Sequence, residues 1–567
     1  MNSIRLAPID WIVTISYLVG IAVIGWLAGR RVKGTESYFL GDRRFSKWLM
    51  ISQSFGVGTH AEMPVSLAGA VYSIGLSGIW YQWKNLFATP FYWIFAPLFR
   101  RFRRTTTGEV MEDRYGQGLG VIYAVYALGF FIINMASMLK GAAKVISQAS
   151  GGGVPVNGLV IGMTTVFLLY SVVGGLIAAA WTDLVQGLLI LVLSFMLIPL
   201  GWNGIGGIAG MRAVLEPYRF SLATPHGIGL FFIAVLTLNG LVGILAQPHM
   251  IASVGTGRDE NACRAGFFYG NFIKRFCTIG WVLIGMMVTV MTARALYGKH
   301  VLADPEDAFG YACRHLLFPG GVGLLIASVL AANMAACSSF MINGGALFTR
   351  NVYRKYIVQS ADDKHCLLVG RISGVAITLL SVLYSVFLVT RVLYSFLLTE
   401  TLSTFVGVGL LGGIIWPRAN RWGAIASLVT SLSVNFTGYF IRGQRLDQWE
   451  PTVFVAALIA GVVALVVVSL LTKPEPDTAL RAFFSKLQTP SDGGVTEPLT
   501  ETYLHVSSPR DTAESGKQLL VVNLLHLKRG AAGTGFFKAY RSDLSGLTGG
   551  FGLAAGMVLL LWFLFNG

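Results

Sequence analysis

The chain has 567 residues, 54% of them hydrophobic and only 12% charged, with a formal net charge of +16. That much apolar sequence excludes a soluble single-core domain and implies an all-α polytopic membrane protein bathed in lipid. The basic excess is dispersed through short loops, which is a topological signal and excludes a nucleic-acid face. The five cysteines (Cys263, Cys277, Cys313, Cys337, Cys366) lack CxxC spacing, so neither a metal site nor a disulfide framework is expected.

Apolar runs long enough to span lie near 9–28, 48–73, 80–99, 119–146, 157–178, 183–201, 228–253, 267–297, 317–349, 367–390, 395–416, 423–441, 452–472 and 549–566. They predict fourteen helices, several longer than the roughly 20 residues a span needs. The first run ends in Gly29-Arg30-Arg31 without a small-residue cleavage site and reads as a true span. Lysine and arginine concentrate in the odd-numbered loops, for example Arg30, Arg31, Arg43 and Arg44, then Arg100, Arg101, Arg103 and Arg104. Those loops are therefore cytoplasmic and both termini face outside. Lys140 and Lys144, one turn apart near the outer end of the fourth span, are expected to snorkel to headgroups.

The second run contains 51-ISQSFGVGTHAEMPVSLAG-69, with Gly56, Gly58, Thr59, His60, Glu62 and Pro64 inside nine positions. Glycine and proline weaken a helix, and proline removes a backbone donor. Unpaired backbone and an ionisable pair are tolerated at membrane depth only where they line a cavity or hold a ligand. A kinked packing helix would also explain the glycines. The seventh run, however, repeats the pattern in 239-NGLVGILAQPHM-250, with Gly240, Gly243, Gln247, Pro248 and His249. Two interrupted spans in corresponding halves point to the midplane binding site of a secondary transporter. His60, Glu62 and His249 are read as binding residues, whereas Asn134 and Ser137 on the fourth span read as packed polar residues. Glu400, at the outer end of the eleventh span, reads as an interfacial charge. Asp183, in WTDLVQG, reads either as a helix cap or as a hard oxygen ligand for a small cation.

Residues 473–548 are polar and rich in Pro, Ser, Thr and Gly, as expected of a largely disordered cytoplasmic linker with a short helix near 478–487 or 518–528. The last run, 549–567, is hydrophobic all round and reads as a peripheral, lipid-facing helix. Removing both is expected to leave activity intact. GVGTH and GGGVP lack the strand–turn–helix context of a nucleotide loop, which argues against an enzyme.

Several stretches in fixed order, 37-SYFLGDRRFSKW-48, 107-TGEVMEDRYG-116, 174-GGLIAAAWTDLVQG-187, 331-AANMAACSSFMINGG-345 and 407-GVGLLGGIIWPRANRWGA-424, resemble the sodium:solute symporter family. The resemblance implies a leucine-transporter-type fold with two five-helix inverted repeats, residues 48–201 and 228–416. Around them would lie a first helix and loop (1–47), two further helices (423–472), the linker 473–548 and a terminal helix (549–567). It implies one sodium at Asp183, Ser338 and Ser339, and a second, widely shared site at Gly56, Thr59, Ala332, Ala335 and Ala336. Family members carry hydroxyls where this chain has Ala335 and Ala336, so the shared site is expected to be weak. Carry-over of the solute site falls on Gly58, Glu62, Met63, Gln82, Ala246 and Lys274, and joined to the broken segments the expected solute residues are Gly58, His60, Glu62, Gln82, Gln247, His249 and Lys274. The expected function is sodium-coupled uptake of a small polar organic solute such as a sugar, sugar acid, amino acid or carboxylic acid. Proton coupling through His60 or Glu62, and solute sensing, are the alternatives.

Overall fold

The computed structural model describes residues 6–30, 34–151, 155–298, 301–389, 391–443, 449–491, 518–525 and 535–566. The expected disorder of the linker falls mostly on 492–517 and 526–534, outside the described residues. Among the described residues the chain is helical, with one isolated bridge pairing Phe45 with Gly257. Ten helices among the described residues are long and apolar enough to cross a membrane.

The helices that position the site are, in chain order, α1 (Pro8–Gly29), α2 (Lys47–Gly58), α3 (Glu62–Ile74), α4 (Thr89–Arg101), α5 (Thr107–Tyr115), α6 (Gln117–Ala149), α7 (Val156–Phe195), α8 (Leu230–Gly243), α9 (Met250–Val254), α10 (Glu260–Ala293), α11 (Gly321–Leu347), α12 (Asp363–Phe387) and α13 (Val392–Ile415). Beyond them come α14 (Arg421–Ile441), α15 (Pro451–Leu471), α16 (Asp477–Gln488) and α17 (Arg541–Asn566). The most apolar stretch of α11 is entirely buried and that of α10 is 89% buried, against 22% for α1 and 17% for α17. So α10 and α11 form the centre, while α1 and α17 are peripheral, as hydrophobicity on every face predicts for a helix in lipid. All five cysteines are buried as free thiols.

Two expected spans, 157–178 and 183–201, are joined in α7, which bends at Gly175 (φ 57°, ψ −162°). Only glycine adopts that backbone readily, and a Cβ there would also lie 2.5 Å from the Tyr38 ring. The bend places Asp183 two turns inside a helix, which excludes the capping role.

The start of the linker is docked. Residues Asp477–Gln488 form the helix expected there, and Lys486 Nζ lies 2.9 Å from Asp113 Oδ2, which also accepts from Arg104 Nε at 2.7 Å. Arg101 makes a two-pronged contact with Glu260 (2.7 and 2.9 Å) and donates to the carbonyl of Leu487 at 2.8 Å. Residues 520–525 form a turn where the second short helix was expected. Helix α17 starts at Arg541, before the expected 549, and buries Asp543 against Arg264 at 2.7 Å. Lys144 does not reach for headgroups: its ammonium is taken by Asp304 at 3.1 Å and Glu306 at 2.5 Å.

Candidate functional site

Both glycine- and proline-bearing runs are broken where their sequences are weakest. Helix α2 stops at Gly58, Thr59 is extended (φ −123°, ψ 101°), and α3 begins at Glu62. Helix α8 passes into a 3-10 turn, Ile244–Ala246, then Gln247 is extended (φ −63°, ψ 127°) before α9 begins at Met250. Backbone groups freed by the second break find side-chain partners, as a buried break requires: the Tyr123 hydroxyl donates to the Ala246 carbonyl at 2.7 Å. The halves meet, with Gln53 Nε2 donating to Ala252 O at 3.5 Å and Ser54 Oγ to Ser253 O at 3.4 Å. Gly141 of α6 brings that helix against α3, since a Cβ there would lie 2.6 Å from Glu62 Cα.

Between the breaks lies a cavity of about 60 Å³. Of the sequence-predicted solute residues, Gly58, His60, Gln247, His249 and Lys274 line it, together with Asn134. Glu62 and Gln82 are buried but do not line it. Glu62 instead stands behind His60, whose Nδ1 lies 2.8 Å from Glu62 Oε1 and whose Nε2 lies 2.7 Å from the Val57 carbonyl oxygen. Gln82 contributes its backbone, the carbonyl accepting from Arg275 Nη1 at 3.0 Å. One wall is aromatic: the His249 ring lies 4.8 Å from Phe340 and 6.0 Å from Phe130, centroid to centroid.

The sequence-based list missed Asn85, Tyr92, Asn271, Arg275 and Glu400, which also line the cavity. Glu400 is not interfacial, being only 7% exposed. Its Oε1 accepts from Gln247 Nε2 at 2.9 Å, and its Oε2 lies 3.2 Å from the Lys84 ammonium, an ion pair whose geometry falls short of a hydrogen bond. The signal was present in sequence, because Lys84 and Glu400 are charges inside apolar runs.

Beside the first break, Asp183 is fully buried, and neither carboxylate oxygen has a hydrogen-bond partner among the described residues. A Cβ on Gly56 would lie 3.3 Å from Asp183 Cγ, so the carboxylate abuts the last turn of α2. The Thr59 hydroxyl is also buried and unpartnered. Ser338 and Ser339 are engaged elsewhere: Ser338 Oγ with Ser171 Oγ at 2.6 Å, and Ser339 Oγ accepting from Asn343 at 3.2 Å. Ala332, Ala335 and Ala336 are buried in α11 and bring no side-chain oxygen. Orphaned buried oxygens of this kind suit a hard cation.

The family model described as the sodium:solute symporter family matches residues 38–431. The chain belongs to the sodium:solute symporter family. As a sodium:solute symporter it is a multi-pass membrane transporter and not an enzyme, and sodium is its coupling ion. The osmoregulated proline transporter OpuE of Bacillus subtilis is 24% identical over 489 residues, covering 82% of this chain and 96% of OpuE. A sodium/glucose cotransporter of Vibrio parahaemolyticus is 25% identical over 464 residues, covering 75% of this chain and 84% of its own. The fold is that of a Na+-coupled sialic acid symporter in its substrate-bound, outward-open state, with a TM-score of 0.71 at 18% identity over 82% of this chain and 99% of that one.

Proposed function

We propose that this symporter imports a small polar organic solute by alternating access, holding it between Gly58–His60 and Gln247–His249 and coupling it to a sodium ion at Asp183. The observation that carries the sodium position is the Asp183 carboxylate, buried without a partner against Gly56. A bare buried carboxylate is costly, and a cation offsets that cost. The Gly56 carbonyl and the Thr59 hydroxyl, the latter buried without a hydrogen-bond partner among the described residues, are the supplements proposed on the broken helix. The two sodium sites implied by family resemblance thus collapse toward one, since Gly56 belongs to the shared set and touches Asp183 of the other. In the membrane, fourteen spans, two inverted five-helix repeats and outward-facing termini complete the arrangement.

The test is sodium-dependent thermal stabilisation of the purified protein. A ligand present at a hundred times its Kd stabilises the folded state by about 2.7 kcal/mol. Asp183→Asn should abolish the sodium-dependent part of the shift, and Ala335→Ser with Ala336→Ser should enlarge it by restoring hydroxyl ligands. Stabilisation by sodium that persists undiminished in Asp183→Asn would move the sodium site away from Asp183.

A further inference from the structure

The charges around the cavity do not cancel. Glu400, the carboxylate that lines it, has both oxygens occupied, one by Lys84 and one by Gln247. His60 faces two acceptors, the Glu62 carboxylate and the Val57 carbonyl, so both contacts need a proton. Either the imidazole is doubly protonated beside a carboxylate, or it is neutral beside a carboxylic acid. In both cases the pair is neutral overall. Lys274 is left. It is 8% exposed, lines the cavity, and makes no hydrogen bond or ion pair with any described residue. Its neighbour Arg275 lines the same cavity and donates to the Gln82 carbonyl, with no carboxylate at ion-pairing distance.

An ammonium buried with no hydrogen bond or close ion pair among the described residues, and only the more distant Glu400 and Glu62 carboxylates to offset it, is costly, so a ligand that brings a negative charge to it completes the site. We propose that the transported solute is a small monocarboxylate, its carboxylate on Lys274 and its body against Phe130, Phe340 and Met63. This rests on the placement of the solute between the two breaks. An amino acid would bring an ammonium as well, while Glu400, the carboxylate lining the cavity, is already engaged by Lys84 and Gln247. A sugar would leave the Lys274 charge without a close counter-ion.

The experiment is calorimetric titration of the purified full chain, in detergent with sodium chloride, using sodium propionate, L-lactate, L-proline and D-glucose as probes. Propionate and lactate should bind, with proline and glucose weaker or silent. Lys274→Gln should weaken propionate by about tenfold to a hundredfold, the loss of one charge-assisted contact. Lys274→Arg should keep more of the affinity, and each variant is checked for a monodisperse gel-filtration profile. Proline or glucose binding that His249→Ala weakens, with propionate silent, would keep the cavity and overturn the monocarboxylate class. Propionate binding indifferent to both His249→Ala and Lys274→Gln would overturn the placement of the site itself. Silence from both acids in a wild-type protein that sodium still stabilises overturns the proposal as well.

Discussion

Lys84 shows what a single residue can hide. It is fully buried, its ammonium 3.2 Å from Glu400 and 4.7 Å from the centre of the Phe396 ring. Removing one member of a buried pair strands the other charge and costs about 3–5 kcal/mol, whereas removing both costs far less. Glu400→Gln should therefore lower the melting temperature of the purified protein sharply, and Lys84→Met added to Glu400→Gln should restore much of the loss. Additive effects in that double-mutant cycle would mean that the pair is not coupled. The pairing could not be read in sequence, because the partners lie on distant spans and position along a span does not give depth. Gln82 was chosen two positions from Lys84, yet two residues along a helix point to nearly opposite sides. His60, Gln247 and His249 were legible because they sit in helix breaks, whereas Lys274 was reached only through the family resemblance.

Among the elements, both breaks were legible because glycine and proline act locally, on the backbone that carries them. The docking of α16 was not, since its polar composition matches a solvated linker and its partners on α4 and α5 are fixed by tertiary packing. Burial would raise the Asp113 carboxyl, but the hydrogen bonds and charges of Arg104 and Lys486 outweigh it and hold its pKa below the usual carboxylate value. Glu475 is held low in the same way by Arg421, against the opposing effect of burial. A carboxylate whose folded pKa is depressed contributes stability that is fully present above its unfolded value and is lost as pH falls through the folded one. The α16 strap should thus stay docked at neutral pH and loosen below about pH 4. Hydrogen exchange of 477–488 measured across pH checks this, and Asp113→Asn should loosen the strap already at pH 7. These contacts also narrow the expectation that the terminal helix 549–567 and most of the 473–548 linker are dispensable, since 477–491 are pinned to the bundle.

For the whole molecule, the telling feature is that one short segment serves both proposed ligands. Gly56 touches Asp183, while Gly58 and His60, within the next turn of chain, line the solute cavity. An ion that fixes the end of α2 therefore also fixes the first wall of the solute site. Linkage then demands reciprocity: the factor by which sodium tightens the solute equals the factor by which the solute tightens sodium. Couplings of this kind are commonly about 5–150-fold. In titrations with propionate as the probe, the sodium-dependent gain in its affinity should match the propionate-dependent gain in sodium affinity within error. Asp183→Asn should hold propionate at its sodium-free affinity whatever the salt, because the cation site is lost while the cavity remains. Lys274→Gln should do the reverse, keeping sodium binding but weakening propionate. A sodium effect on propionate that persists in Asp183→Asn would show that the two sites do not communicate through the broken α2–α3 segment.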